Sequence, residues 1–396
     1  MSVALSGIRI LDFTRIIQGP QCTKLLADMG AEVIKVERMN TGEEGRYIGT
    51  ISVGGTSANF LAVNRNKKSM TLNLKCKEGK AIVLKLVKDC DVVVHNFRPG
   101  VMERLGLDYN CLSSVNSQII YCSCSGYGET GPYRKKAGQD LIVQGMSGII
   151  SITGEAGRTP VAPGAPIVDM YAGSLAAYGI VVALFHRERT GVGQKIEACL
   201  LNAAIDIQAQ EITAYLNTLV VPRRGGRGVG HISEPPPYGV FATKDGYITL
   251  VGGYSFSKVC KALGIPHLSQ DEKFSTPQRR LENRDELTSL LENTTQKKST
   301  RDWVEIMESE DIMCGPVYTY DQVASDPQVL ENGMVLSFDY SQLGNVKTTG
   351  FPLKLSKTPS QCRISPPTVG QHTEEILLGL GYQKEEITKL REEGVI

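Results

Sequence analysis

The chain has 396 residues, with 43 Lys and Arg against 42 Asp and Glu for a formal net charge of +1, and it is 41% hydrophobic and 21% charged. At roughly 100–200 residues per domain, this length holds two or three domains and a sizeable core. The balanced charge removes the bulk electrostatic reason to expect nucleic acid or an anionic membrane as partner, and the composition excludes general disorder. No run of about 18 apolar residues is apparent, so no membrane-spanning helix is expected. The opening Met1–Ser6 lacks the charged and apolar segments of a signal peptide. Ten cysteines are scattered, and only Cys122 and Cys124 lie close, with no second pair and no adjacent His. That spacing predicts neither a zinc site nor a disulfide framework, so no metal is expected. Reduced thiols suit a cytoplasmic location, with an organelle reached by a removed leader as the alternative.

In chain order, Ile8–Phe13 reads as a strand. Gly19–Gly30 reads as a helix, with Cys22, Leu25, Leu26 and Met29 on one face and a terminal glycine. Ala31–Glu37 is a second strand and Leu72–Lys75 a short one. Glu78–Asp89 is a helix with Ile82, Val83 and Leu86 inward, and Asp91–His95 and Gln118–Cys124 are two more strands. Strands alternating with helices imply a parallel sheet and the α/β class. Unbroken apolar runs fit a sheet buried on both faces. After Asp169 comes an apolar helix over about Met170–Arg187, rich in Ala and Gly, so another backbone can pack closely against it. Gln194–Leu200 is a strand and Asn202 to about Leu216 a helix. The basic, glycine-rich Arg223–Gly230 and then Glu234–Pro237 mark a domain boundary or a flap. From Gly239 to about Tyr318 the pattern is a small α+β domain. It holds a strand at Tyr247–Gly253 and a helix opened by Ser299 as N-cap with Asp302 in its first turn. Pro359–Pro367 is loop, and Thr373–Leu380 and Lys384–Glu393 are closing helices. The predicted boundaries are 1–224, 225–330 and 331–396.

Gly126-Tyr127-Gly128-Glu129-Thr130-Gly131 follows a strand and matches G-x-G-x-x-G. A dinucleotide fingerprint also needs a helix opening inside the motif, and Pro132 comes next, so a loop lining a pocket is the better reading. Among signatures, the chain has no G-x-S-x-G, P-loop or H-E-x-x-H. Its five histidines are isolated, His231 standing out only because it follows the glycine loop. The carboxylate of interest is Asp169, where the Pro166 loop meets the apolar helix. Two readings stand open. It is the helix N-cap, or it is an exposed carboxylate kept ionised by the helix dipole and available as a nucleophile.

Several separated segments, in order, carry a resemblance. They are Leu5–Thr14, Gly19-Pro20, Leu26–Glu37, Asn64–Ser69, Asn96–Gly100, Ser125–Gly128 with Gly131-Pro132, the Gly164–Gly173 segment around Asp169, and Gly370–Thr373. Together they resemble the class III CoA-transferases, the family of formyl-CoA:oxalate and succinyl-CoA:glutarate transferases. The resemblance implies a Rossmann-like large domain formed by both chain ends, a small domain, and an interlocked homodimer. It implies transfer of CoA from an acyl-CoA to a free carboxylic acid, with CoA thioesters as substrates rather than a tightly bound cofactor. The matching nucleophile is Asp169, passing through a mixed anhydride and an aspartyl-CoA thioester.

By the same resemblance, Arg38 and Arg104 contact the phosphates or adenine of CoA. Leu72, Asn73, Leu74 and Lys75, the turn Asn96-Phe97-Arg98, and the loop from Lys136 to Gln139 line its channel. Ile17 and Gln18 approach the thioester, and Asp140 orders Gln139 or serves as an N-cap. Each step passes through an oxyanion, and Gly225, Gly226 and Gly228 are candidates to donate amides to it while excluding water. Arg223, Arg224 and Arg227 are candidates for the second carboxylate of a dicarboxylic acceptor, with succinyl-CoA as donor. The alternative on the same fold is α-methylacyl-CoA racemisation, which needs a His and an Asp on opposite faces of the α-carbon. The matching element is Ala137-Gly138-Gln139-Asp140, and glutamine cannot exchange a proton near neutrality.

Overall fold

Six strands alternate through the first half of the chain: β1 (Arg9–Phe13), β2 (Glu32–Glu37), β3 (Lys67–Thr71), β4 (Val92–His95), β5 (Ile120–Ser125) and β6 (Lys195–Cys199). The computed structural model describes residues 3–340 and 344–396. The strands lie in the order β3-β2-β1-β4-β5-β6 with every neighbouring pair parallel. This is a doubly wound order, reversing between β1 and β4.

Successive side chains of a strand face opposite sides. Ile10, Val33, Val92, Val94, Ile120 and Cys122 therefore form one core with α1 (Gln18–Asp28). Leu11, Phe13, Ile34, Val36, Val93 and Tyr121 form another with α2 (Lys77–Lys88) and the helices Thr373–Gly379 and Lys384–Glu392. Two further helices matter here, α3 (Asp140–Ser147) and α4 (Ile167–Thr190). The second joins the α1 face through Ala176, Ala177, Ile180, Ala183 and Leu184.

Three expectations are corrected in this sheet region. The strand placed at Leu72–Lys75 lies at Lys67–Thr71. Its lysines hid it: Lys67 is fully buried and pairs at 3.1 Å with Asp12 of β1, so a charged residue occupies a core position. Leu72–Lys75 instead turns away, with Asn73 bonding the Val395 carbonyl and its side chain accepting from the Lys75 amide. The absence of a membrane-length apolar stretch is also corrected. By length and composition α4 is apolar enough to cross a membrane, and half of that window is buried inside the protein, as in a core helix. Finally, the helix expected over Asn202–Leu216 is two, Leu200–Asp206 and Ala209–Thr218.

The interruption at Ile207 and Gln208 is where one compact unit gives way to the other. The first comprises residues to Val143, Ala165–Ile207 and Pro327–Ile396, and the second Gln144–Gly164 and Gln208–Asp326. The second unit thus begins at 208 instead of 225 and takes in residues 144–164. In the first unit, the C-terminal stretch adds the antiparallel pair β10 (Val335–Tyr340) and β11 (Gly344–Thr349), packed on Leu61. The second unit carries the antiparallel sheet β9-β8-β7, from β7 (Tyr238–Ala242), β8 (Tyr247–Val251) and β9 (Met313–Pro316). Its core joins Phe241, Ile248 and Leu250 to Trp303 and Met307. Ser299 caps Thr300–Ser309 in a reciprocal box with Asp302, a cap of about 1 kcal/mol.

Candidate active site

A cavity of about 620 Å³ opens in the first unit outside the carboxyl ends of β1, β4 and β5. Its walls are Arg15–Gln18 after β1, Asn96–Pro99 after β4, Ser125–Gly128 after β5, Lys136 and Gly138–Leu141 around the start of α3, and Asp169 in the first turn of α4. This is the crevice where a doubly wound sheet takes ligands, at the point where its strand order reverses.

Asp169 is neither an N-cap nor a carboxylate held ionised by the helix end. The N-cap position belongs to Pro166. Asp169 itself is capped, its backbone N–H donating to Asp140 Oδ1 at 2.9 Å. No hydrogen bond or ion pair reaches its carboxylate among the described residues. Burial pushes its pKa up from 3.8 to about 7, and the Asp140 charge adds to the rise. The helix dipole loses to these two effects, since a surface-type dipole contribution is only about 0.3–1 kcal/mol. Asp140 opens its own helix and caps the neighbouring one.

Close approach of α1 and α4 sets Gln18 beside this face. A Cβ at Gly173, one turn beyond Asp169, would collide with the Gln18 carbonyl. The Gln18 amide donates to Ala198 O at 3.4 Å. Asn96 lines the cavity, but its side chain is committed: Oδ1 accepts from Arg15 N at 2.9 Å and Nδ2 donates to Arg15 O at 2.7 Å. Phe97 stacks on the ring of His95, which burial holds near pKa 4, and the Arg15 guanidinium lies 5.6 Å from its centroid. Arg15 is paired with Glu44 at 3.0 Å. No carboxylate pairs with Arg98, Arg134 or Lys136 among the described residues, so three cations face this cavity uncompensated.

Of the residues expected at the site, Ile17, Gln18, Asn96, Phe97, Arg98, Lys136, Gln139, Asp140 and Asp169 come together here. Arg38, Arg104 and Lys75 are exposed outside the lining, Arg38 paired with Glu44. The Leu72 side chain is closed into the core and Leu74 packs against it, so only backbone is left at Leu72 for a ligand. Gly225, Gly226 and Gly228 belong to the second unit. There Gly228, at φ +68°, lies against the Val240 carbonyl, where any Cβ would collide. Close packing within that unit requires a glycine at this position. Arg224 donates to the Glu155 and Arg158 carbonyls, and Arg227 pairs with Glu292 at 2.6 Å. These two arginines are committed inside their own unit. His231 pairs with Glu211 at 2.9 Å.

The Gly126-Tyr127-Gly128 segment lines the cavity, as expected of a pocket loop, whereas sequence reading missed Arg15, Ile16, Asn59 and Arg134 in the lining. Arg15 and Ile16 were within reach, because both follow the carboxyl end of a predicted strand. Asn59 carried no signal.

The profile of CoA-transferase family III matches residues 5–373. The chain belongs to that family. The succinyl-CoA:glutarate CoA-transferase of Mus musculus is 40% identical over 99% of this chain and 90% of its own length. The formyl-CoA:oxalate CoA-transferase of Bradyrhizobium diazoefficiens is 32% identical over 100% of this chain and 98% of its own. A crystal structure of a CAIB/BAIF family protein from Brucella suis superposes with a TM-score of 0.86 at 34% identity, covering 96% of this chain and 100% of that one. As a family III CoA-transferase the protein is an enzyme that works between acyl-CoA thioesters and carboxylic acids.

Proposed function

We propose that the protein moves CoA from succinyl-CoA to a short dicarboxylic acid through covalent chemistry on Asp169. The observation that carries this is a carboxylate without partners, raised to about pKa 7, in a cavity with three uncompensated cations. A more basic carboxylate is a better nucleophile, and its charge is available once ionised. An Asp169 oxygen adds to the donor carbonyl carbon and the C–S bond breaks, its electron pair leaving on the CoA thiolate. The thiolate then attacks the aspartyl carbonyl of this mixed anhydride and the donor acid leaves as carboxylate. The acceptor carboxylate attacks the resulting aspartyl thioester and again expels thiolate. Attack of that thiolate on the acceptor carbonyl frees Asp169, with no net proton consumed.

The cations at Arg98, Arg134 and Lys136 suit the CoA phosphates and the second carboxylate of a diacid. The mouse relative named for succinyl-CoA and glutarate supports that substrate class. Gln139 lines the cavity and, among the described residues, no histidine does, so the histidine that racemisation needs opposite Asp169 has no counterpart there. A homodimer belongs to the same reading. Tyr178, Val181, Val182 and Phe185 form an exposed apolar stripe along α4, on the side turned from its buried alanines, and a second copy would cover it.

Trapping tests the chemistry. After incubation with succinyl-CoA and quenching with hydroxylamine, peptide mass should locate the modification at Asp169 and find none in Asp169→Ala. An unlabelled Asp169 in an enzyme that still turns over would overturn it. A preference for monocarboxylic acceptors would overturn the substrate class, and a monomer in sedimentation would overturn the dimer.

A further inference from the structure

Between β1 and α1 the chain makes a turn in which side chains hold every backbone polar group from Thr14 N to Ile16 O. Thr14 N donates to Asp12 Oδ1 at 2.8 Å, and Thr14 O accepts from Lys35 Nζ at 2.7 Å. Asn96 takes both groups of Arg15. Ile16 N donates to Glu43 Oε2 at 2.7 Å, and Ile16 O accepts from Asn59 Nδ2 at 3.2 Å. The turn is also strained. Ile16 stands at φ +71°, in the left-handed region that a β-branched residue avoids. Such a conformation persists only where its surroundings over-determine it.

The surroundings here are charged and dry. Lys35 and Glu43 pair at 3.0 Å, with side chains 0% and 6% exposed. Glu43 N is in turn held by Glu37 at 2.9 Å, and Glu37 is clamped by Arg46 at 2.6 Å and by the Ser69 hydroxyl. The backbone ladders of β1 run over Arg9–Phe13 and do not include this turn. The product of the turn is the placement of Ile17 and Gln18, which both line the cavity, with the Gln18 carbonyl pressed against Gly173 one turn from Asp169.

We propose that Glu43, with Lys35 behind it, is a positioning residue: it locks Ile16 in its left-handed conformation and thereby aims Ile17 and Gln18 at the acyl group presented to Asp169. This rests on the reading of Asp169 as nucleophile. Glu43 does not line the cavity, so its effect falls on the chemical step, while CoA binding is left to other residues.

The experiment measures the rate of Asp169 labelling from succinyl-CoA, the affinity for CoA by calorimetry, and the thermal midpoint, in wild type, Glu43→Gln, and Ile16→Gly with Glu43→Gln. A misplacement of about 1 Å costs on the order of 100-fold in rate, so Glu43→Gln should slow labelling by at least about tenfold while CoA affinity stays within about twofold. Glycine adopts the left-handed conformation without cost, so adding Ile16→Gly should recover a substantial part of the lost rate. A merely structural Glu43 would lower the thermal midpoint and CoA binding together and show no such rescue. Wild-type labelling rates in Glu43→Gln, losses matched by lost CoA binding, or a double variant no faster than the single would each overturn the proposal. If wild type itself shows no label at Asp169, the nucleophile reading fails instead, and the two failures are distinct.

Discussion

Asp12 and Asp169 are the same residue type in the same unit, and the protein treats them in opposite ways. Asp12 is fully buried, which alone would raise its pKa, yet Lys67, Lys35 and the hydroxyls of Thr14 and Thr23 bring it below the ordinary value. Asp169 is only half-buried, yet burial raises it to about 7 and the Asp140 charge adds to the rise, because among the described residues no cation or donor reaches its carboxylate to offset them. Depth therefore does not decide the outcome; partners do. The paired carboxylate is a structural tie beneath the first turn, and the unpaired one is the nucleophile proposed above.

Exchanging each carboxylate for its amide separates these roles. Asp169→Asn should remove acyl labelling and turnover by at least about 10⁴-fold, the scale seen when a covalent nucleophile is lost, while CoA binding by calorimetry persists. Asp12→Asn should do the reverse. It leaves Lys67 and Lys35 buried against one fewer charge, and losing one partner of a buried pair costs about 3–5 kcal/mol. Urea unfolding should show that loss, with the surviving folded enzyme still labelled at Asp169. Equal stability of the Asp12→Asn variant and wild type would mean the tie is not one.

A subtler variant acts on the second cause of the raised pKa. Asp140→Asn keeps an oxygen to accept from the Asp169 amide and removes the negative charge. Labelling of wild type should rise with pH through a midpoint near 7, as Asp169 ionises. In Asp140→Asn the midpoint should move down but stay above the ordinary carboxylate value, because burial, the larger cause, is untouched. A midpoint unchanged in the variant would leave burial as the sole cause.

How much of this was legible in the sequence follows the same division. Apolar runs such as Val92–Val94 announced their strands, and the segment around Asp169 carried the family resemblance. What hid was structure made from charge. Lys67 and Lys68 disguise β3 as a loop, since a lysine satisfied by Asp12 in the core looks like any surface lysine. The left-handed Ile16 was equally silent, because the groups that enforce it, Glu43 and Asn59, lie 27 and 43 positions away along the chain, and Asn96 lies 81 from the Arg15 it holds. The glycine loop carried a further constraint that composition did not show: Gly228 is packed under the Val240 carbonyl. Local pattern reports propensity and periodicity, whereas long-range pairing fixes the electrostatics.

The smallest effect concerns stability. Asp169 has its ordinary value of 3.8 when unfolded and about 7 in the folded protein. Between these values the native state binds more protons than the unfolded state, so the sign of the linkage makes wild type lose stability as pH rises through that window. Below about 4 both states are protonated and Asp169 costs nothing; above about 7 both are ionised and the full cost of an unpaired, half-buried charge is present. Asp169→Asn has no such charge to bury. Its thermal midpoint should match wild type near pH 4 and exceed it by pH 8, the gap opening across the window. For Asp12→Asn the deficit should persist at both pH values, since Asp12 is ionised in the native state throughout that range. A gap for Asp169→Asn that is constant with pH would mean that its carboxylate has partners in solution, and the contrast between the two aspartates would collapse.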